Sequence, residues 1–149
     1  NYSAGKKHRI WAGYRYIGRI TGIIGLCATL LFVFFGGFIF YLIVPEYAVF
    51  QEGGTYLRIS GYSQLFMMAE ITAQGLFYGT GNSSIPATIS VVGNVLRIPL
   101  FFLFETFIPG LSAVWWSITI SSALKGSVAL ALLPYLKRKI NRKIPNEAI

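Results

Sequence analysis

The stretch ITGIIGLCATLLFVFFGGFIFYLIV, residues 20–44, decides the fold class. It carries no charged side chain, and a helix needs about 20 apolar residues to cross the hydrocarbon core of a bilayer. Inside lipid each unsatisfied peptide group costs several kcal/mol, so a run of this kind must close its own backbone hydrogen bonds as a helix. Working outward, three more apolar runs follow at residues 56–78, 86–104 and 111–133, each holding one or two charges. Turn-forming residues separate them: PEYAVFQEGGT (45–55), GTGNSSIP (79–86) and ETFIPG (105–110). The expectation is an all-α membrane protein with four antiparallel transmembrane helices and a basic tail over 134–149. Composition agrees, because 54% of the 149 residues are hydrophobic, 12% are charged and the mean hydropathy is +0.59. An average soluble domain carries about a quarter charged residues.

The net charge of +8 is explained by where the basic residues lie. Lys6, Lys7, Arg9, Arg15 and Arg19 precede the first run, and Lys137, Arg138, Lys139, Arg142 and Lys143 follow the last. The first and third connections hold Glu46, Glu52 and Glu105 instead. Short connections force consecutive helices to be antiparallel, so the positive-inside rule places both ends in the cytoplasm of a multi-pass protein of the inner or plasma membrane. Ten of the thirteen Lys and Arg residues are thereby accounted for, which removes the motive for a nucleic-acid partner. Trp11, Tyr14 and Tyr16 at one boundary, and Tyr41, Tyr47, Trp115 and Trp116 at the other, are placed as interfacial anchors are.

Several chemistries are excluded or disfavoured. The one cysteine, Cys27, lies within an apolar run and can build neither a disulfide framework nor a thiolate metal cluster. The one histidine, His8, stands in a basic segment, so no histidine triad or metal site belongs to the membrane. No GxxxxGK[ST] loop for ATP is present, and Gly79-Thr80-Gly81-Asn82 reads as a turn. The expectation is no enzyme, no metal and no cofactor. The chain opens on Asn1 rather than Met, which suggests part of a longer protein.

Three ionisable residues stand where they are expensive: Glu70, Arg97 and Lys125. At about 1.5 Å per residue each falls roughly 13 to 18 Å from the basic end, so all three can share one layer. Each belongs to a helical polar stripe: Ser60, Ser63, Met67, Glu70, Gln74 and Tyr78; then Ser90, Asn94 and Arg97; then Ser117, Ser121 and Lys125. One reading is a neutralised tie in which Glu70 pairs with Arg97 or Lys125. The other makes Glu70 a titratable or cation-binding carboxylate. Pro99, two residues after Arg97, predicts a kink, because it lacks the donor for the carbonyl one turn earlier. Gly18, Gly22 and Gly25, with Gly75 and Gly79, are expected to permit close helix contact.

The stretch YLRISGYSQLFMMAEITAQGLFYGTGNSSIPATISVVGNVLRIPL (56–100) resembles the tenth and eleventh spans of MATE (multidrug and toxic compound extrusion) transporters. NYSAGKKHRIWAGYRYIGRI (1–20) is similar to the approach to their ninth span, and GLSAVWWSITISSALKGSVALALLPYLKR (110–138) to their twelfth. The resemblance implies a bundle of two six-helix halves, of which this chain would supply four helices, exporting drug-like or amphiphilic compounds against sodium ions or protons. It also implies an acidic cation site on the helix matching residues 56–78, about one turn from Glu70. Glu70 becomes the candidate coupling carboxylate, with Gln74, Met67, Asn94, Arg97 and Lys125 as candidate cavity lining. The partners implied are the lipid bilayer, the remaining helices and small organic substrates. Two alternatives stand beside this antiporter: a flippase for lipid-linked oligosaccharides, kept open by Arg97 and Lys125, and a non-transporting membrane scaffold. A Glu70 that is fully paired and faces no cavity would favour the scaffold.

Overall fold

Backbone groups that meet no water must pair within their own segment, and the chain answers with helices throughout. A computed structural model describes residues 1–108 and 110–143. The regular elements are α1 (Lys7–Ile43), α2 (Tyr47–Gly61), α3 (Gln64–Gly79), α4 (Ser84–Val95), α5 (Arg97–Phe107), α6 (Leu111–Ala131) and α7 (Leu133–Lys143). Three stretches are long and apolar enough to cross a membrane: Lys7–Ile43, Ser84–Phe107 and Leu111–Lys143. With 37 residues α1 is roughly 55 Å long at about 1.5 Å per residue, so its basic first turns extend past a core of about 30 Å.

The run expected at 56–78 differs in two ways. It starts earlier, at Tyr47, so most of the PEYAVFQEGGT connection is helix and only Val44, Pro45 and Glu46 link α1 to α2. The physical reason is that Gly53 and Gly54 are used for contact, not for turning. A Cβ on Gly54 would lie 2.8 Å from the Cα of Gly37 on α1. The run is also divided at Tyr62 and Ser63. There Tyr62 N–H donates to the Ile59 carbonyl at 3.3 Å and Ser63 N–H to the Ser60 carbonyl at 3.1 Å, a tightened three-residue turn. The Ser63 hydroxyl also donates to the Ser60 carbonyl, at 2.9 Å, a local bond that competes with the regular helix ladder.

Together α2 and α3 run antiparallel to α1 along its length. Gly18 faces Thr72, Gly25 faces Met68, Gly61 faces Val33, and Gly36 faces Leu57. Helix α6 lies against the opposite flank in the same direction as α2 and α3: Trp115 meets Tyr56 with ring centroids 4.7 Å apart, and the Thr119 hydroxyl donates to the Ile59 carbonyl at 3.2 Å. Helices α4 and α5 return beside α6. The division at Leu96 sits three residues before Pro99, which has no N–H for the Val95 carbonyl. Hydrogen bonding resumes with Leu100 N–H to the Leu96 carbonyl at 3.2 Å, so the helix is interrupted without opening. Pro134 does the same between α6 and α7.

The tail expected from residue 134 is helical through Lys143, and it continues α6 and packs against the bundle. Leu136 and Ile140 of α7 join Ala73, Phe77, Ile89 and Ala129 in a buried cluster at the basic end. Pro109, in the expected ETFIPG turn, and residues 144–149 of the tail lie outside the described residues. The glycine expectation needs correction. Gly25 is in close contact and Gly18 in ordinary contact, but a Cβ on Gly22, Gly75 or Gly79 would meet nothing within 4 Å. The close approaches fall instead at Gly36, Gly53, Gly54, Gly61, Gly93 and Gly126.

Candidate functional site

The polar stripes of α3, α4 and α6 converge on Glu70. Its residue is 6% exposed. The Gln74 amide, one turn along α3, donates to Glu70 Oε1 at 2.8 Å and reaches Ser90 Oγ of α4 at 3.5 Å. From α6 the Lys125 ammonium stands 4.0 Å from the same Oε1 and donates to Asn94 Oδ1 of α4 at 3.4 Å. A carboxylate, two amides, a hydroxyl and an ammonium from three helices thus form one layer. Removing two charges from water costs several kcal/mol each, and only mutual pairing with further hydrogen bonds offsets it.

Arg97 is not part of the carboxylate contact. Its Nε donates to Ser121 Oγ at 3.0 Å, and that hydroxyl donates in turn to the Ile118 carbonyl at 3.0 Å. Arg97 therefore ties the start of α5 to α6 about one turn from the Glu70 layer. Met67 lies one turn before Glu70 on α3 and is half-buried. Tyr78 is exposed and stands outside the network. Ser60, also on the stripe, is buried, and its hydroxyl has no hydrogen-bond partner.

Lys125 lines a cavity as well as meeting Glu70. An apolar groove of about 430 Å³ runs between α4 and α6, past Ile85, Ile89, Val92, Leu124 and Val128, to the Lys125 side chain. The lysine side chain therefore connects the surface groove to the buried carboxylate.

The geometry meets an independent observation in the sequence, for residues 1–103 match the family model MatE. The chain belongs to the MATE family. It is thus a multi-pass membrane protein of a transporter family. No curated protein and no solved structure matches it.

Two residues of this MATE chain escaped the stripe analysis because they have no side chain. A Cβ on Gly93 would lie 2.2 Å from Lys125 Cγ and 2.3 Å from Cδ. The lysine stem thus crosses directly over α4 at that residue to reach Asn94 and Glu70. A Cβ on Gly126 would lie 2.5 Å from the Phe66 carbonyl oxygen, so this glycine lets α6 approach the α3 backbone. Their signal in the sequence was adjacency: Gly93 precedes Asn94 and Gly126 follows Lys125.

Proposed function

We propose that this MATE chain is the closing part of a secondary antiporter, whose other helices complete the transport path, and that it exports drug-like or amphiphilic compounds against protons or sodium ions. The observation carrying this reading is Lys125, whose ammonium stands 4.0 Å from the buried Glu70 carboxylate and whose side chain lines the α4–α6 groove. A cation arriving at Glu70 competes with that ammonium. A proton cancels the carboxylate charge, and a sodium ion displaces Lys125 toward Asn94 and the groove. Either event weakens the attraction between α3 and α6, and a ligand shifts a conformational equilibrium only through such a difference in interaction. The basic residues of α1 and α7 support cytoplasmic placement of both ends in an inner or plasma membrane.

The test is Glu70→Gln in the full transporter, with substrate export followed in proteoliposomes under imposed proton or sodium gradients. Export is expected to lose its dependence on the gradient. Undiminished, gradient-driven export would remove Glu70 from coupling.

The burial of Glu70 and its pairing with Lys125 favour a second reading, a fixed structural tie. Under that reading Glu70→Gln lowers thermal stability while the surviving folded protein keeps its ion dependence. The flippase alternative rests on Arg97 and Lys125, of which Arg97 Nε donates to Ser121 and the Lys125 ammonium to Asn94.

A further inference from the structure

A second cavity lies at the basic end, away from the Glu70 layer. It occupies about 400 Å³ between Asn1 and Tyr2, the first four turns of α1 and the last three of α3. Its lining has two characters. Arg9, Tyr14 and the hydroxyl-bearing Thr21, Thr72 and Thr80 supply polar groups, while Ile10, Ile17, Ile71 and Leu76 supply an apolar wall. The hydroxyls of Thr21 and Thr72 are 2.7 Å apart and bridge the two helices at the deep end. The floor is open because Gly13, Gly75 and Gly79 line it, and a Cβ on any of them would meet nothing within 4 Å. These glycines therefore shape a groove where small residues would ordinarily let two helices touch.

We infer that this groove holds one anionic phospholipid, with its phosphate at Arg9 and one acyl chain along the α1–α3 furrow. Three observations point to that occupant. Arg9 is exposed at the mouth and makes no ion pair or hydrogen bond among the described residues. It stands two residues before Trp11, a side chain suited to headgroup level. From Arg9 to Thr21 the groove extends roughly 18 Å along α1 at about 1.5 Å per residue, which spans the roughly 15 Å of one leaflet of a core about 30 Å thick and the edge of its headgroup layer. The positive mouth and apolar furrow match an anionic lipid better than a zwitterionic one, as basic clefts between membrane helices do.

The experiment uses the full transporter in phosphatidylcholine discs doped with phosphatidylglycerol, with retained lipid counted by native mass spectrometry. The protein is expected to retain one phosphatidylglycerol in preference to phosphatidylcholine. Arg9→Gln should lower that retention about fivefold, the weight of one basic side chain at an anionic surface. Gly75→Leu should abolish it by filling the furrow. A Cβ at Gly75 meets nothing within 4 Å and leucine suits a helix interior, so the substitution tests the groove with the helix retained. Arg138→Gln, an exposed arginine outside the groove, should leave retention unchanged. Unaltered retention in the first two variants, equal loss in the third, or no preference for phosphatidylglycerol would each overturn the assignment.

Discussion

The α2–α3 rod has two seams, and they are held by opposite means. Toward α1 the contact is made by absence: Gly25, Gly36, Gly54 and Gly61 give up side chains so that neighbouring atoms can approach. Toward α6 the contact is polar: Thr119 bonds the Ile59 carbonyl, and Lys125 stands at Glu70. Lipid tails are as apolar as leucine, so helices in a membrane gain little from burying apolar faces and must associate by close packing or by hydrogen bonds. This chain leans on one device on each flank, with the Thr21–Thr72 hydroxyl pair toward α1 and Gly126 toward α6 as the exceptions. The glycine seam stays the same whatever the protonation state, whereas the polar seam responds to charge. A rod anchored on one side and charge-sensitive on the other can shift relative to α6 while staying bound to α1.

Breaking the polar seam should have the largest effect. Lys125→Met leaves the Glu70 carboxylate buried and uncompensated, and is expected to cost about 3 kcal/mol. Adding Glu70→Gln to Lys125→Met should restore most of that loss. Unfolding of the purified protein in detergent measures both, and a double variant no more stable than Lys125→Met would deny the coupling. Next comes the glycine seam. Gly54→Ala puts a Cβ 2.8 Å from the Gly37 backbone, so α1 and α2 must separate, at about 1 to 3 kcal/mol for overpacking. This loss should not depend on pH, and a loss that does would merge the two seams. The smallest change has the opposite sign. Gly22→Ala meets nothing within 4 Å and should stabilise α1 by up to about 1 kcal/mol through helix propensity. A destabilised Gly22→Ala would mean that this glycine meets a helix from elsewhere in the transporter.

The helical class and three of the four apolar runs were legible because lipid imposes length and composition directly. Helix α2 was not. Two adjacent glycines beside Glu52 carry the chemistry of a turn, and nothing local distinguishes a glycine that turns the chain from one that admits a neighbouring helix. The division at Tyr62 and Ser63 was equally hidden, since hydropathy does not register a serine hydroxyl bonding its own backbone. The polar stripes were visible as a period of three and four residues, and of their members Gln74, Ser90, Asn94 and Lys125 form the network around Glu70, while Tyr78 and Arg97 do not. Which cation stands at the carboxylate was beyond sequence, because Arg97 and Lys125 sit at similar depth. The choice depends on Gly93, whose missing side chain gives Lys125 its path, and on Ser121, which occupies Arg97.

Helix α7 follows α6 in the chain, yet Leu136 and Ile140 seal Phe77 and Ala73 of α3, four helices earlier. During synthesis α3 emerges well before the residues that cover it. Between those moments the underside of the bundle offers an uncovered aromatic to any chaperone or protease at the membrane face. The assembly interval is therefore closed by a helix that does not itself need to enter the lipid.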